Sequence, residues 1–273
     1  MEKVKAGFIG FLGRGGDPWA GLEQAAKMGY RGTENGEFIL RNGDIEENKK
    51  RMKDLGLETL TVGTMSGESL EKDGVESIIK RAQDIGIQNA VVFHGKAYFT
   101  RMNREASYDD VMKEIEFLQK AAEACNKEGI KLAYHNHDRE FTISFKGLRV
   151  MDMILAYAPD LWIELDVGWT TYAGLDPVDV LYRIAPRLAA VHFKDYLPGP
   201  DVQVPLWGSE EKYDMPNFCS LGSGALNVRG CLKACQEIGI KYAVVEQDFM
   251  HALTPMEALQ VDYLVMKESG YLE

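Results

Sequence analysis

The chain has 273 residues, 45% of them hydrophobic, and a formal net charge of −11. That length suits one α/β barrel as well as two smaller domains. The acidic balance, with no clustered Lys/Arg face interleaved with aromatics, argues against nucleic acid as a partner, and no apolar run reaches membrane-spanning length, so no membrane is expected either.

At the N-terminus, Lys3 and Lys5 flank the apolar run Ala6 to Leu12. A secretory signal would need small residues next, but Gly13-Arg14-Gly15-Gly16-Asp17 is charged, so the run reads as a core strand and the protein as cytoplasmic. Gly10, Gly13, Gly15 and Gly16 lack the Gly-x-Gly-x-x-Gly spacing of a dinucleotide site. Short apolar strands are predicted at Ala6–Phe11, Gly32–Asn35, Thr59–Gly63, Ala90–His94, Lys131–Asn136, Trp162–Val167, Ala189–Lys194 and Tyr242–Gln247. Several are continuous runs, as parallel strands covered on both faces require. Between them the spacing predicts helices. Val75, Ile78, Ile79, Ala82 and Ile85 mark one apolar stripe, and Val111, Ile115, Leu118, Ala122 and Cys125 another. Asp17-Pro18 and Asp176-Pro177 read as helix starts. Gly29, Gly56, Gly86, Gly129 and Gly239 read as left-handed helix ends. Cys231 and Cys235 fall one turn apart as small buried residues, and nothing demands disulfides.

Eight such units, undivided by any linker, predict a single (β/α)8 TIM barrel over residues 1–273. The stretch Tyr196 to Gly224 is too long for a plain connection. With Trp207, Tyr213 and Phe218 it suits a lid over the substrate, and equally an excursion packed on a neighbouring subunit. Gly222-Ser223-Gly224 could cradle a phosphate through backbone N–H groups, though a simple turn is the plainer reading.

Barrel enzymes build their sites where strands end. Of the five histidines, His94, His135, His137 and His192 fall at predicted strand ends, and His251 follows the last strand closely. Asp166 ends the sixth strand, Glu246 ends the eighth, and Glu140 follows the fifth-strand histidines. A carboxylate at an apolar strand end costs several kcal/mol unless it is paired or ligating. Three beside imidazoles suggest one divalent cation, and this donor set suits Mn²⁺, Mg²⁺, Co²⁺ or Zn²⁺ alike. Loop capping by Asp166 and pairing of Glu246 with a Lys or Arg are the ordinary alternatives. His135 and His137 point the same way on a strand, to serve as ligand, substrate contact or support for a ligand. His94 and Glu34 are read as substrate contacts, with an Arg-paired structural role the alternative for Glu34.

At these residues the sequence resembles the xylose isomerase-like barrel superfamily of sugar phosphate isomerases and epimerases. The matching pieces are Tyr134-His135-Asn136-His137-Asp138, Leu165-Asp166-Val167-Gly168-Trp169, Ala173-Gly174-Leu175-Asp176-Pro177, Val191-His192-Phe193-Lys194-Asp195, Leu221-Gly222-Ser223-Gly224 and Val245-Glu246-Gln247-Asp248. They run in order through the C-terminal half; the N-terminal half fits by architecture. The resemblance implies one metal held by an acid of strand five and by Asp166, His192 and Glu246. The fifth-strand acid position itself carries His135 or its neighbours. Either Glu140 reaches the metal, which is the preferred expectation, or a histidine replaces the carboxylate. A His-rich fifth strand also resembles the inosose dehydratase and keto-sugar lyase branches.

The implied activity is isomerisation or epimerisation of a ketose or keto-polyol, by proton transfer next to a carbonyl through a metal-stabilised enediolate. Glu246 would move a proton on one face, with Glu140 or His137 on the other. Lys194 would hold a substrate oxygen or phosphate, with Trp169 and His135 as further contacts. Dehydration or lyase chemistry of an inosose or 3-keto-sugar is the runner-up. A catalytically inactive sugar-binding barrel is the alternative from another class, and it would bind no divalent ion. A repair endonuclease of the same superfamily would gather three zinc ions with more histidines. The expected partner is a small sugar or cyclitol, and relatives imply a homodimer or homotetramer.

Overall fold

The computed structural model describes residues 2–12, 17–34, 36–205, 210–249 and 252–273. Gly13, Gly15, Gly16, Trp207 and His251, singled out above, lie outside them. Among the described residues nine strand segments form the central sheet: β1 (Lys5–Ile9), β2 (Gly32–Thr33), β3 (Glu58–Thr59), β4 (Val62–Ser66), β5 (Asn89–His94), β6 (Lys131–His135), β7 (Trp162–Asp166), β8 (Leu188–Phe193) and β9 (Tyr242–Glu246). Their order is β3-β2-β1-β9-β8-β7-β6-β5-β4, with every neighbour parallel. The two ends of that order, β3 and β4, are successive pieces of one strand parted by Leu60 and Thr61. The sheet therefore closes on itself. The eight predicted strands are the eight barrel positions, the third broken in two.

The helices form where the apolar periodicity places them. The helix Tyr108–Lys127 buries Val111, Ile115, Leu118, Ala122 and Cys125 against the barrel, and Val75–Ile85 buries Ile78, Ala82 and Ile85. Each fully buried aliphatic side chain of this kind contributes about 1.5–3 kcal/mol of burial free energy. Asp17 and Asp176 cap their helices, with Pro18 and Pro177 at the first position. Gly29, Gly56, Gly86, Gly129 and Gly239 all have positive φ. The four cysteines are free, with Cys231 and Cys235 buried in the helix Val228–Ile238. No helix among the described residues is long and apolar enough to cross a membrane.

Two features shape the barrel mouth. After β8 the long connection folds into small antiparallel ladders, Val202–Pro205 with Lys212–Met215 and Asp195–Tyr196 with Phe218–Cys219. Val204, Met215 and Phe218 pack with Trp169 in a second apolar cluster, which Tyr213 joins from its edge, so this excursion lies over the mouth as a cover. After β7 the chain turns at once into the helix Val167–Tyr172. There Gly168 lies against β8's continuation so closely that a Cβ would collide with the Lys194 carbonyl. Gly168→Ala should therefore destabilise the fold by about 1–3 kcal/mol, read as a lower denaturant midpoint at unchanged slope.

The loop before the helix Val228–Ile238 is tied to the last helix, Pro255–Glu268, where Asp262 Oδ1 accepts from Leu221 N at 2.7 Å. Burial pushes the Asp262 carboxyl up to about 7 from an ordinary value of 3.8. A raised acid stabilises the fold fully below its unfolded value, and that contribution is lost as pH climbs to the folded one. Asp262→Asn keeps the acceptor without the charge. Its stability relative to the native chain should rise between about pH 4 and 7 and level off above, in urea melts across that range.

Candidate metal centre

Side chains of a strand alternate between its two faces, so His135 and His137, Glu164 and Asp166, and His192 and Lys194 pair up on the barrel's inner side. The parallel register sets His135 beside Glu164, His192 beside Asp166 and His192 beside Val244, just below Glu246. His135, Asp166, His192 and Glu246 thereby offer ligand atoms that all lie within 4.8 Å of one another. His192 Nδ1 is 3.0 Å from Glu246 Oε2, and His135 Nε2 is 3.9 Å from both Asp166 Oδ2 and Glu246 Oε2. Donors about 2.0–2.2 Å from a shared ion sit about 3 to 4.4 Å apart, so a divalent cation fits. Asp166 supports this: its Oδ1 accepts from Trp169 N at 2.8 Å, while its buried Oδ2 has no hydrogen-bond partner.

Behind these donors lies a further layer that sequence reading missed. Glu164 Oε1 is 3.1 Å from His135 Nδ1 and 3.2 Å from His192 Nε2. Glu34 Oε2 is 3.1 Å from His192 Nε2, so the glutamate expected to contact substrate faces an imidazole. Glu164 was legible in principle, because it precedes Asp166 by two positions and must share its face. Asn136, pointing the other way, receives Asp166 N on its Oδ1 at 3.0 Å.

The expected fourth ligand, Glu140, is elsewhere. It lies in the first turn of the short helix Arg139–Thr142, and its carboxylate turns back to accept from Tyr134 Oη and His137 N, both at 2.8 Å. It is fully buried, is not among the converging donors, and His135 occupies that place instead.

The electrostatics follow from crowding acids where water is excluded. Burial pushes Asp166 up to about 7 despite Lys194, and Glu140 up to about 7 despite its two donors. Burial and neighbouring Glu34 raise Glu164 far above the carboxylate range. Burial acts on Glu246 in the same direction, but Lys194 and His192 hold it well below that range. His192 is held above its ordinary value: burial opposes its charge, but Glu164 and Glu34 outweigh it. Burial keeps His135 and His137 neutral, and lowers His94 to about 4. Lys194, 1% exposed, lies 3.0 Å from Asp248, 3.2 Å from Glu246 and 3.8 Å from Asp166.

Aromatic rings wall the space above. The His94 and His137 rings stack at 5.0 Å, and Tyr98 and Trp169 lie 4.1 Å and 5.2 Å from His137. His94 Nδ1 is 2.7 Å from the Met65 carbonyl oxygen, which fixes the ring. Phe218 from the cover meets Trp169 edge-on at 5.3 Å. Arg101, almost wholly buried, ties cover to barrel through Asp138 (2.8 Å), Asp201 (3.6 Å) and the Asp214 carbonyl (2.6 Å). Nothing in the sequence marks Tyr98 or Arg101, since both lie in helical turns, Lys96–Phe99 and Thr100–Met102, too short to show a periodicity.

Comparison with known proteins agrees with this architecture. An inosose dehydratase of Geobacillus kaustophilus is 25% identical over 64% of this chain and 60% of its own length. The chain thus spans about 60% of the length of that curated relative. A solved sugar phosphate isomerase/epimerase from Parabacteroides distasonis superposes with a TM-score of 0.73 at 22% identity, over all of this chain and 96% of that one. The IOLI protein, solved with a zinc atom, superposes with a TM-score of 0.70 at 15% identity, over 98% of this chain and 99% of that one. The sequence pattern of the xylose isomerase-like TIM barrel matches residues 22–264, and the chain belongs to that family.

Proposed function

We propose that the chain is a divalent-cation-dependent enzyme that moves a proton on the carbon next to the carbonyl of a keto-sugar or keto-cyclitol. The observation that carries this is the convergence of His135, Asp166, His192 and Glu246, with Asp166 Oδ2, which has no hydrogen-bond partner, among them. These four would hold the ion, with His135 in the place first given to Glu140. Two nitrogens and two carboxylate oxygens are compatible with Mn²⁺, Mg²⁺, Co²⁺ or Zn²⁺. The zinc in the IOLI protein lends that member of the series some weight. When bound, the cation would polarise the substrate carbonyl and stabilise negative charge on its oxygen as the proton leaves.

The chain's own groups supply the rest. Glu246 is kept ionised by Lys194 and His192 and is the proton acceptor. Lys194 faces the same carboxylate and would donate to a substrate oxygen beside it. His137, neutral and with its Nδ1 unpartnered, is the second proton-transfer group, standing among His94, Tyr98 and Trp169. A positioned group of this kind contributes about a hundred- to ten-thousandfold in rate. Glu140, tied to Tyr134 and the His137 amide, positions His137 from behind. Glu164 fixes His135 through Nδ1, leaving Nε2 to face the ion, as carboxylates behind ligating histidines do.

Return of the proton to the opposite face, or to the neighbouring carbon, makes this an epimerase or isomerase. Expulsion of a hydroxyl after the same first step makes it a dehydratase, a reading favoured by the similarity to an inosose dehydratase.

Incubation with ketoses and inososes in D₂O, with Mn²⁺ or Co²⁺, should put deuterium on one carbon, and the product should show whether water was lost. Glu246→Gln should reduce exchange by at least about a hundredfold. Exchange at the native rate in that variant, or no bound divalent ion in the purified chain, overturns the proposal. Glu164→Gln should weaken metal binding about 10- to 100-fold in competition with a chelator at unchanged circular dichroism, and undiminished affinity would remove it from its supporting role.

A further inference from the structure

The side chains proposed to face substrate are shut away. His94, Tyr98, His137, Trp169 and Lys194 are each at most 8% exposed, and Trp169 packs with Val204, Met215 and Phe218 of the cover. A sugar ring cannot meet them until part of the cover lifts. The construction of the cover shows which part that is.

Its base is pinned. Asp195, two residues past β8, accepts Tyr196 N and Leu226 N on Oδ1 at 2.9 Å each. Its Oδ2 accepts Gly222 N at 2.9 Å and Gly224 N at 3.1 Å. One carboxylate thus clamps the start of the excursion to its end, and Leu197 N adds a bond to the Asn217 carbonyl at 2.9 Å. Beyond the base, residues 197–200 are exposed, and Gly199 has φ +148°, a backbone that favours glycine. This segment and Pro216 carry the outer ladder, Val202–Pro205 with Lys212–Met215. Two strands alone are marginal in water, so the ladder is held by what it packs on.

Its polar hold is Arg101, from the turn Thr100–Met102. On the barrel the guanidinium meets Asp138 at 2.8 Å. On the cover it meets Asp201 at 3.6 Å and the Asp214 carbonyl oxygen at 2.6 Å. Asp201 also accepts from Tyr172 Oη at 2.6 Å, from the helix that follows Asp166. The guanidinium lies 5.2 Å from the centre of the Trp169 ring, which is itself 5.2 Å from His137. Asp138 is the next residue after His137. The cation that holds the ladder down therefore also fixes two neighbours of the second proton-transfer group. A rigid fork of five donors can span these partners, where a lysine's point charge cannot. Lifting the ladder strips Arg101 of Asp201 and Asp214 and leaves it Asp138.

We propose that the ladder of Val202–Pro205 and Lys212–Met215 is a lid that lifts from the base pinned by Asp195, and that Arg101 is its latch and a positioning residue. Shutting the lid and setting His137 for proton transfer are then one event, so the site is completed only when it is closed. This rests on the proton-transfer reading for what enters the mouth, while the latch stands on its own contacts.

The test is limited trypsin digestion of the metal-loaded chain, read at the bond after Lys212, alongside deuterium exchange into ketoses and inososes. Lys212 is exposed but paired in the ladder, so cleavage there reports the lifted fraction. Arg101→Ala should be cut at that bond at least about tenfold faster, at unchanged circular dichroism. Its exchange at saturating sugar should fall by about ten- to a hundredfold. The divalent ion should stay bound, because its four donors come from barrel strands. Asp201→Asn loosens the same latch from the cover's side and should move both readouts in the same directions. It carries the test if Arg101→Ala does not fold. Native cleavage rates in both variants, or native exchange in a variant that is cut faster, overturns the inference. Faster cleavage in the variants, when the native chain exchanges no sugar and binds no divalent ion, sinks the proton-transfer reading and leaves the latch standing.

Discussion

Acids gathered away from water must be balanced. Glu34, Glu164, Asp166 and Glu246 line the inside of the barrel mouth, Asp248 stands at its edge, and among the described residues a single ammonium, that of Lys194, lies among them. One lysine cannot balance five ionised acids there, and burial accordingly pushes Glu164 and Asp166 toward their neutral forms. The imidazoles absorb part of the imbalance, which is why His192, between Glu246 on one side and Glu34 and Glu164 on the other, is held toward its charged form. A divalent cation relieves the same strain more completely, and in doing so requires that the imidazoles be neutral ligands. The proposed cation would therefore let acids that burial otherwise holds toward their neutral forms ionise together.

That arrangement depends on the closed sheet. With side chains alternating along each strand, a functional residue brings the residue two positions away into the same interior. So Asp166 brings Glu164, His192 brings Lys194, and His135 brings His137. Each pair gives a deeper and a shallower member. In two of them the deeper member, His135 or His192, is one of the converging donors; in the β7 pair that donor is Asp166, and the deeper Glu164 lies beside both histidines. The Gly168 contact with the Lys194 backbone keeps β7 and β8 close enough at their ends for Asp166 and His192 to meet.

The fold was legible in the sequence because parallel barrel strands and their helices carry strong local signals. Continuous apolar runs, stripes at helical spacing, Asp-Pro starts and glycine ends each mark one element, and all five glycine ends have positive φ. The break of the third strand at Leu60 and Thr61 left no such mark. The mouth was partly legible. Residue type at strand ends pointed to Asp166, His192 and Glu246, which converge together with His135. Glu140 misled because distance along the chain is a poor guide after a strand ends: one turn of helix sends its carboxylate back to the His137 amide. Glu34 continues the inward side of its strand and meets His192, a contact that residue type alone did not indicate. Tyr98 and Arg101 come from a connection without periodicity, where only the folded chain shows what they face.

The short motifs shared along the C-terminal half thus divide into two kinds of work. His192 and Lys194 of the Val191–Asp195 segment turn inward to the mouth, while Asp195 turns into the loop that Gly222 and Gly224 wrap around it. The glycines that look like a phosphate cradle are needed for a different anion, one carried by the chain. A side chain at position 224 would strike that carboxylate, so the loop's glycine pattern and the acid after Lys194 form one structural unit.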